Sequence, residues 1–301
     1  MNTFLSLTNR NVKMFFKDKG MFFTSLITPI ILLVLYATFL ANIFRDNLFS
    51  NFAKALPDGF NIDEKLISAT VGGQLMSSLL AVSCVTVSFC ANLLMVQDKV
   101  NGARKDMLVT PVRRSVVASS YYVGTLLTTV IVSLVATGAC FIYLAINGWY
   151  LSFGDVMLII LDVVILTMFG TALASVVNVF LTSSGQASAV GTVVSAGYGF
   201  ICGAYMPINQ FGSGLQKVLS LLPGTYGTSL IRNHCLGGVF REMSAVGFPS
   251  EAVEGIKESI DCNISFFGNT VSIGAMYAVT LGATALLIGA FVLINVLRKR
   301  A

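Results

Sequence analysis

The sequence predicts an all-α membrane protein: six transmembrane helices, an N-terminal interfacial helix and a re-entrant outer hairpin before the last span. Hydrophobic residues make up 55% of the 301 residues and charged residues only 11%, whereas charged residues form about a quarter of ordinary soluble domains. The apolar residues gather in runs that reach the roughly 20 residues of a helical span. The basic residues gather beside these runs, so the net charge of +5 predicts contact with a bilayer and no nucleic-acid partner.

The six predicted spans follow these apolar runs. They cover about residues 21–44, 66–96, 116–146, 153–181, 186–206 and 270–297. Little of the chain remains for a separate soluble domain, so residues 1–301 are predicted to form a single transmembrane domain. The first run is too long for the apolar region of a signal peptide, and we expect no cleavable one.

Residues 1–20 predict a helix on the inner membrane surface, because basic and apolar side chains occupy opposite faces. The basic face has Arg10, Lys13 and Lys17, and the apolar face has Leu5, Val12, Phe15 and Phe16. Such a helix suits the headgroup boundary of an anionic leaflet. The alternative is a short cytoplasmic lead-in that only orients the first span.

The segment 97–115 carries five basic residues between two spans, which places it in the cytoplasm by the positive-inside bias. Gly102 precedes two predicted helical turns at 103–109, and Pro111 ends them. This short helix is predicted to face the cytosol with an apolar tip and to dock on another protein. The tip consists of Met107, Leu108 and Val109. The alternative is a loop that only sets the topology.

Small or weakly polar residues line one face of span 2 and one face of span 5. They are Gly73, Ser77, Ala81, Cys84, Ser88 and Asn92 in span 2, and Gly191, Ser195, Gly199 and Gly203 in span 5. Faces of this kind let helices pack closely, and lining a substrate path is the alternative. The candidate path residues are Ser77, Cys84, Ser88, Asp162, Ser195 and Gly199.

Asp162 in span 4 is the one ionisable residue predicted well inside the bilayer. A charge there is costly without a partner, so Asp162 is a candidate for lining the path of a cationic substrate or for carrying a proton. A protonated Asp162 bonded to a neighbouring span, or one lifted to the outer interface by helix tilt, is the structural alternative. The sequence leaves both open.

Residues 207–269 predict an outer hairpin and loop. Lys217 and the break at Pro223 and Gly224 leave an apolar run too short to cross, which favours a re-entrant or interfacial hairpin shielded by protein. With six spans, both termini and the basic loop lie inside. Twelve Lys and Arg residues then lie inside against three acids, and seven lie outside against ten.

Cys235 and Cys262 are the two cysteines predicted on the outer side. An oxidising exterior permits a disulfide between them. Two free thiols are the alternative, because the sequence does not give their distance.

No catalytic or metal site is predicted. His234 is the single histidine of the sequence, so a zinc site would lack a second histidine ligand. No lysine is followed by Ser or Thr, as a Walker A phosphate loop requires. We therefore expect the chain itself to bind no cofactor, and its energy to come from an ion gradient or a partner.

Four features together resemble the permease subunit of ABC type-2 exporters: the basic N-terminal helix, the six spans, the first inner loop and the outer hairpin. In the loop, the family pattern is an acid, then a glycine, then a Leu-rich turn that ends in Thr-Pro. This chain has Asp98, Gly102, Met107-Leu108 and Thr110-Pro111. The usual acid of the family is Glu, and here it is Asp98. The hairpin prolines of the family are matched by Met206-Pro207 and Leu222-Pro223-Gly224.

This resemblance implies two permease copies, as a homodimer or a heterodimer, with spans 2 and 5 central. It also implies two cytosolic ABC ATPase subunits that bind ATP and Mg, and a location in the bacterial cytoplasmic membrane. The 103–109 helix would be the coupling helix seated on the ATPase. The expected coupling residues are Asp98, Gly102, Arg104, Lys105, Met107, Leu108, Thr110 and Pro111.

The resemblance implies export, and the apolar spans favour an amphipathic small molecule, drug or peptide antibiotic as cargo. A polysaccharide or glycolipid exporter of the same family is one alternative. A proton-coupled secondary carrier that uses Asp162 is an alternative from another class and needs no ATPase. A membrane scaffold without transport would leave the basic loop and the hairpin unexplained.

Overall fold

The computed structural model describes residues 3–35, 38, 45 and 63–297. Its helices are α1 Thr3–Lys17, α2 Lys19–Leu35, α3 Glu64–Val100, α4 Ala103–Val109, α5 Arg114–Asn147, α6 Phe153–Asn178, α7 Ser184–Ile201, α8 Ser213–Leu219, α9 Pro223–Ala245, α10 Ser250–Ser259 and α11 Ile273–Leu297. Strands β1 Ser265–Phe266 and β2 Asn269–Thr270 form an antiparallel pair. Most of the predicted end of span 1 at 36–44, most of the outer loop before α3 and the basic C-terminus at 298–300 lie outside the described residues.

Four of the described helices, α3, α5, α6 and α11, are long and apolar enough to cross a membrane. A fifth candidate is the pair α1 and α2, which meet at a bend of 73°. The chain is therefore an all-helical, multi-pass membrane protein. The helix α7 overlaps the predicted fifth span but is not one of these four.

Helix α3 forms the centre of the bundle. Helices α2, α5, α6, α7 and α9 all pack against it, and 89% of its most apolar stretch is buried, against 17% for α11. Helices α3 and α6 approach closely because Gly170 of α6 has no side chain. An added Cβ there would lie 3.0 Å from the Cα of Val85 in α3. Gly73, one of the small residues predicted in span 2, also packs within the protomer, where an added Cβ would lie 2.6 Å from Leu236 of α9.

Helix α9 runs antiparallel to α6. Gly227 lies against Leu166, near the middle of α6, and the end of α9 reaches the first turn of α6, where Arg241 pairs with Asp155. We call the end of the bundle that carries segment 97–115 the loop end, and the other the opposite end. Helix α9 thus extends from the bundle interior to the opposite end.

Helix α1 packs against α5 at the loop end. Thr8, Asn11 and Phe15 are its buried residues, and Asn11 fits against Gly124 of α5, where a Cβ would lie 2.8 Å from that of Asn11. Phe15 is only 1% exposed, whereas Leu5 is 56% exposed. The predicted apolar face of α1 is therefore only partly buried, and Phe15 on it faces protein rather than lipid.

Candidate functional site

The segment 97–115 forms a short helix with both ends set by local sequence. Gly102 precedes α4 with a φ of 84°, a left-handed conformation that favours glycine. Thr110 follows α4 in an extended conformation, and its hydroxyl donates to the carbonyl of Met107 at 2.5 Å. Pro111 comes next and cannot continue the helix. The predicted bounds of this helix, 103–109, agree with those of α4.

The exposed tip of α4 is smaller than the sequence indicated. Val109 is 87% exposed, and Lys105 also faces outward. Met107 and Leu108 are half-buried and pack against the apolar cluster at the loop end. The expectation that all three apolar residues face solvent is wrong for these two, because one side of this seven-residue helix rests on the bundle. Val109 is therefore the apolar side chain that α4 exposes on the surface.

Asp98 ties three helices together beside α4. It is 4% exposed, and Arg10 of α1 donates to both of its oxygens at 2.6 and 3.1 Å. The hydroxyl of Tyr121 in α5 donates to the same carboxylate at 2.6 Å. Charge-assisted bonds of this kind are strong. Asp98 therefore connects α1, α3 and α5 inside the protein and is not exposed on the surface.

Lys99 connects α3 with the end of α6. Its ammonium group donates to the carbonyls of residues 178, 179 and 181 at 2.7 to 3.1 Å. Unpaired carbonyls at a helix C-terminus favour a cation, and the last turn of α6 has no basic residue of its own. Sequence reasoning used Lys99 only as a topology signal, although this missing charge in α6 could have indicated its role.

A buried amide cluster lies two turns before Asp98. The side chain of Asn92 donates to Thr125 of α5 at 3.1 Å and to Ser175 of α6 at 3.2 Å. It also accepts from the amide of Asn178 at 3.1 Å. The last turns of α3 are thus bonded to α1, α5 and α6, and only Asn101 and Gly102 separate α3 from α4. Through this two-residue link, α4 is connected to the end of α3 that these bonds fix to three other helices.

Residues 54–297 match a family model described as ABC-2 family transporter protein. The chain belongs to this family. It is an ABC permease, the membrane component of a transporter. The match includes α3 to α11, with Asp98 and α4, and begins after α1 and α2. No curated protein matches the chain.

The candidate path residues of α3 lie inside the permease protomer. Ser77, Cys84 and Ser88 are all fully buried. The hydroxyl of Ser77 accepts from Arg232 of α9 at 3.4 Å, and Ser88 lies 3.3 Å from the hydroxyl of Thr171 in α6. A substrate path along these residues stays a prediction, and it would require these helices to separate.

The candidate path residues of α7 face the protomer only in part. Ser195 is half-buried, and Gly199 is covered by Tyr205, whose ring would lie 2.2 Å from an added Cβ. The opposite face of α7 is open and consists mostly of small residues. It carries Ser188, Ala189, Thr192, Val193 and Ala196.

Asp162 is buried and has two partners. Its Oδ2 lies 2.5 Å from Nδ1 of His234 in α9, and its Oδ1 accepts from the hydroxyl of Tyr277 in α11. The sequence did not indicate this pair for His234, which had been considered as a zinc ligand or a catalytic base, because 72 positions separate the two residues. Asp162 thus joins α6, α9 and α11.

Arg232 was counted among the outer charges, yet it is 1% exposed. It lies 3.7 Å from Asp261 and donates to Ser78 of α3 and to the carbonyls of Gly203 and Ile260. Burial raises the pKa of the Asp261 carboxyl, and the nearby Arg232 charge opposes that rise. This cluster fastens α9 to α3 and to the loop after α10.

Cys235 and Cys262 are not bonded to each other in the structure, and both are almost completely buried. Burial raises the pKa of Cys262 to about 12, so this thiol reacts slowly. A disulfide between the two stays a prediction. In the part of the chain that the structure describes, no three His, Cys, Asp or Glu residues are grouped to hold a metal ion.

Proposed function

We propose that this permease is the membrane subunit of an ATP-driven exporter. Two separate cytosolic ATPase subunits would bind ATP and Mg. One of them would dock on α4 of each permease copy. The arrangement of α4 carries the proposal. This short helix exposes Val109, and Gly102 joins it to the end of α3, which the bond between Arg10 and Asp98 holds in place. A displacement of α4 by the ATPase would be transmitted to α1 and α5 through Asp98, and to α6 through Lys99.

The proposed orientation puts the loop end and both termini in the cytoplasm, in a bacterial cytoplasmic membrane. The charge asymmetry of the sequence supports it, because basic residues concentrate on the cytoplasmic side of membrane proteins. The contact of Arg10 with Asp98 supports it as well, since it holds the basic helix α1 at the loop end.

The proposed membrane topology has six spans, with α2 and α7 completing the set, and a re-entrant hairpin of α8 and α9. The start of α9 beside Leu166 supports the hairpin, because Leu166 is thirteen residues into α6, about 20 Å from its first residue at 1.5 Å per residue. The polar groups of α9 have protein partners, as embedded polar groups require. His234, Arg232 and Ser229 provide the examples.

The proposed cargo is an amphipathic small molecule, drug or peptide antibiotic. Polysaccharide export within the same family is the alternative, and such a path would be expected to carry aromatic stacking platforms. The proton-coupled carrier remains the alternative from another class. The partners of Asp162 favour a structural role over that carrier, because both of its oxygens are bonded.

The test is a pull-down of the tagged permease from native membranes in mild detergent, with the bound subunits identified by mass spectrometry. We expect an ATPase with a Walker A sequence to co-purify with the unaltered protein. Val109→Asp should reduce its recovery at least tenfold, because a buried carboxylate without a partner costs more than about 1.4 kcal/mol.

The matched control is Val246→Asp, which changes an exposed valine at the opposite end and should leave recovery unchanged. Reproducible absence of any ATPase from a preparation that still transports would contradict the proposal and favour the proton-coupled carrier.

A further inference from the structure

A cavity of about 510 Å³ opens at the loop end between α5 and α11. On α5 it extends from the first residues of the helix to Tyr122, and on α11 from Ile288 to Val296. We call the end of the cavity at Arg113, Arg114 and Ser115 its mouth, and the part lined by Tyr122, Ile288 and Phe291, farther along both helices, its interior.

Positive charge is concentrated at the mouth. Arg113 and Arg114 are both exposed, and neither forms an ion pair with a described residue. Helix α5 begins there without a side-chain cap, so its first amide groups also attract an anion. None of the described residues that line the cavity is Asp or Glu. The mouth therefore favours an anionic group such as a phosphate.

The interior holds a hydrogen-bond donor without a protein partner. The hydroxyl of Tyr122 is buried and has no acceptor among the described residues, and this residue lines the cavity. It lies eight residues, or about 12 Å, along α5 from Arg114. Helical side chains lean towards the N-terminus, which brings the hydroxyl closer to the mouth. A ligand with an acceptor below its anionic group would satisfy this donor.

Val292 both lines the cavity and belongs to the exposed apolar surface of α11. Val292 and Leu293 are more than half exposed, and Leu286 is 78% exposed. A helix of this composition with so much open surface faces acyl chains in a membrane protein. An occupant of the cavity is therefore continuous with the lipid around α11.

We propose that the cavity binds one anionic phospholipid from the leaflet at the loop end. The phosphate would lie between Arg113, Arg114 and the first amides of α5. An ester carbonyl would accept from Tyr122, and one acyl chain would lie along Phe291 and Val292. The inference rests on the membrane location, and only the name of the leaflet depends on the proposed orientation.

The test titrates the purified full-length permease, with any co-purifying subunits, in mild detergent. The probes are phosphatidylglycerol and phosphatidylcholine with identical acyl chains, and native mass spectrometry counts the retained lipids. We expect one strongly retained phosphatidylglycerol per chain. Replacing both arginines (Arg113→Gln with Arg114→Gln) should weaken retention about thirtyfold, from the usual effect of two basic residues near an anionic surface.

Two further variants separate a site from general attraction. Lys13→Gln with Lys17→Gln removes the same charge from exposed residues of α1, outside the cavity, and should retain the lipid as the unaltered protein does. Tyr122→Phe removes only the hydroxyl and keeps the ring beside Phe291, so it should fold normally and weaken retention by a smaller factor.

Three results would overturn the proposal. An equal loss of phosphatidylglycerol from the arginine and the lysine double variants would mean general electrostatic attraction. Equal retention of phosphatidylglycerol and phosphatidylcholine would mean an apolar groove without headgroup recognition. Loss of a co-purifying subunit from the arginine variant, with phosphatidylglycerol retention unchanged, would assign the cavity to a protein contact.

Discussion

At the scale of single residues, ionisable side chains inside this permease are joined across helices. Asp98 meets Arg10, Asp162 meets His234, and Asp261 lies beside Arg232. A buried charge is tolerated when it is paired and hydrogen-bonded. These pairs therefore mark where helices must keep their relative positions.

Asp162 provides a prediction at this scale. Asp162→Ala should lower the free energy of unfolding by about 2–4 kcal/mol, because it leaves His234 and the hydroxyl of Tyr277 without their shared acceptor. Asp162→Asn keeps one acceptor and should cost less. Unfolding by SDS titration of the purified protein measures both.

The control for this prediction is Leu161→Ala, which alters the preceding residue at a 46% exposed position and should change stability little. If Asp162→Ala were as stable as this control, Asp162 would not act as a tether. A role in binding protons or substrate would then become the better interpretation.

At the scale of elements, α9 depends on backbone contact as well as on polar bonds. A Cβ on Gly238 would lie 2.0 Å from the carbonyl oxygen of Tyr150, a distance that backbone cannot accommodate without moving. At Gly237 the nearest atoms would be 3.4 Å away, on the side chain of Asp155. Gly238 is therefore required for the close backbone contact, whereas the position of Gly237 has room for a methyl group.

Alanine substitution separates these two glycines. Gly238→Ala should destabilise the permease by about 2 kcal/mol or more, because α9 must move away from the segment before α6. Gly237→Ala should be neutral or stabilise by up to about 1 kcal/mol, the usual helical preference for alanine. Thermal unfolding in one detergent compares them, and equal effects would show that α9 does not pack here as described.

At the scale of the whole molecule, α3 is buried and α7 is open, which bears on the prediction that two copies pack together. The resemblance placed spans 2 and 5 at the centre of a dimer. In the structure α3 is enclosed by its own protomer, whereas α7 keeps an open face of small residues that includes Val193, 70% exposed. A face of this kind allows close approach of another helix.

We therefore expect two copies to meet through α7. Val193→Cys should form an intermolecular disulfide under mild oxidation in membranes, because close helices bring Cα atoms within about 7 Å. Non-reducing electrophoresis detects the dimer. Leu286→Cys on α11, 78% exposed, is the control and should stay monomeric. Monomer alone from Val193→Cys would indicate a different interface or a non-identical partner.

Some features of this protein could be read from the sequence because they depend on neighbouring residues. Long apolar runs predicted the membrane class, and Gly102 and Pro111 predicted the bounds of α4, since backbone conformation and hydropathy are local properties. The family resemblance rested on the same local motifs, and the family match at residues 54–297 confirms it.

Other features were decided only by the tertiary structure. Arg10 lies 88 positions from Asp98, and His234 lies 72 positions from Asp162. No local pattern indicates which of the charged residues will meet. Likewise, half-burial of Met107 and Leu108 depends on how α4 rests on the bundle. Which face of a helix meets protein, lipid or solvent is set by packing between distant segments, and that packing exists only in the folded chain.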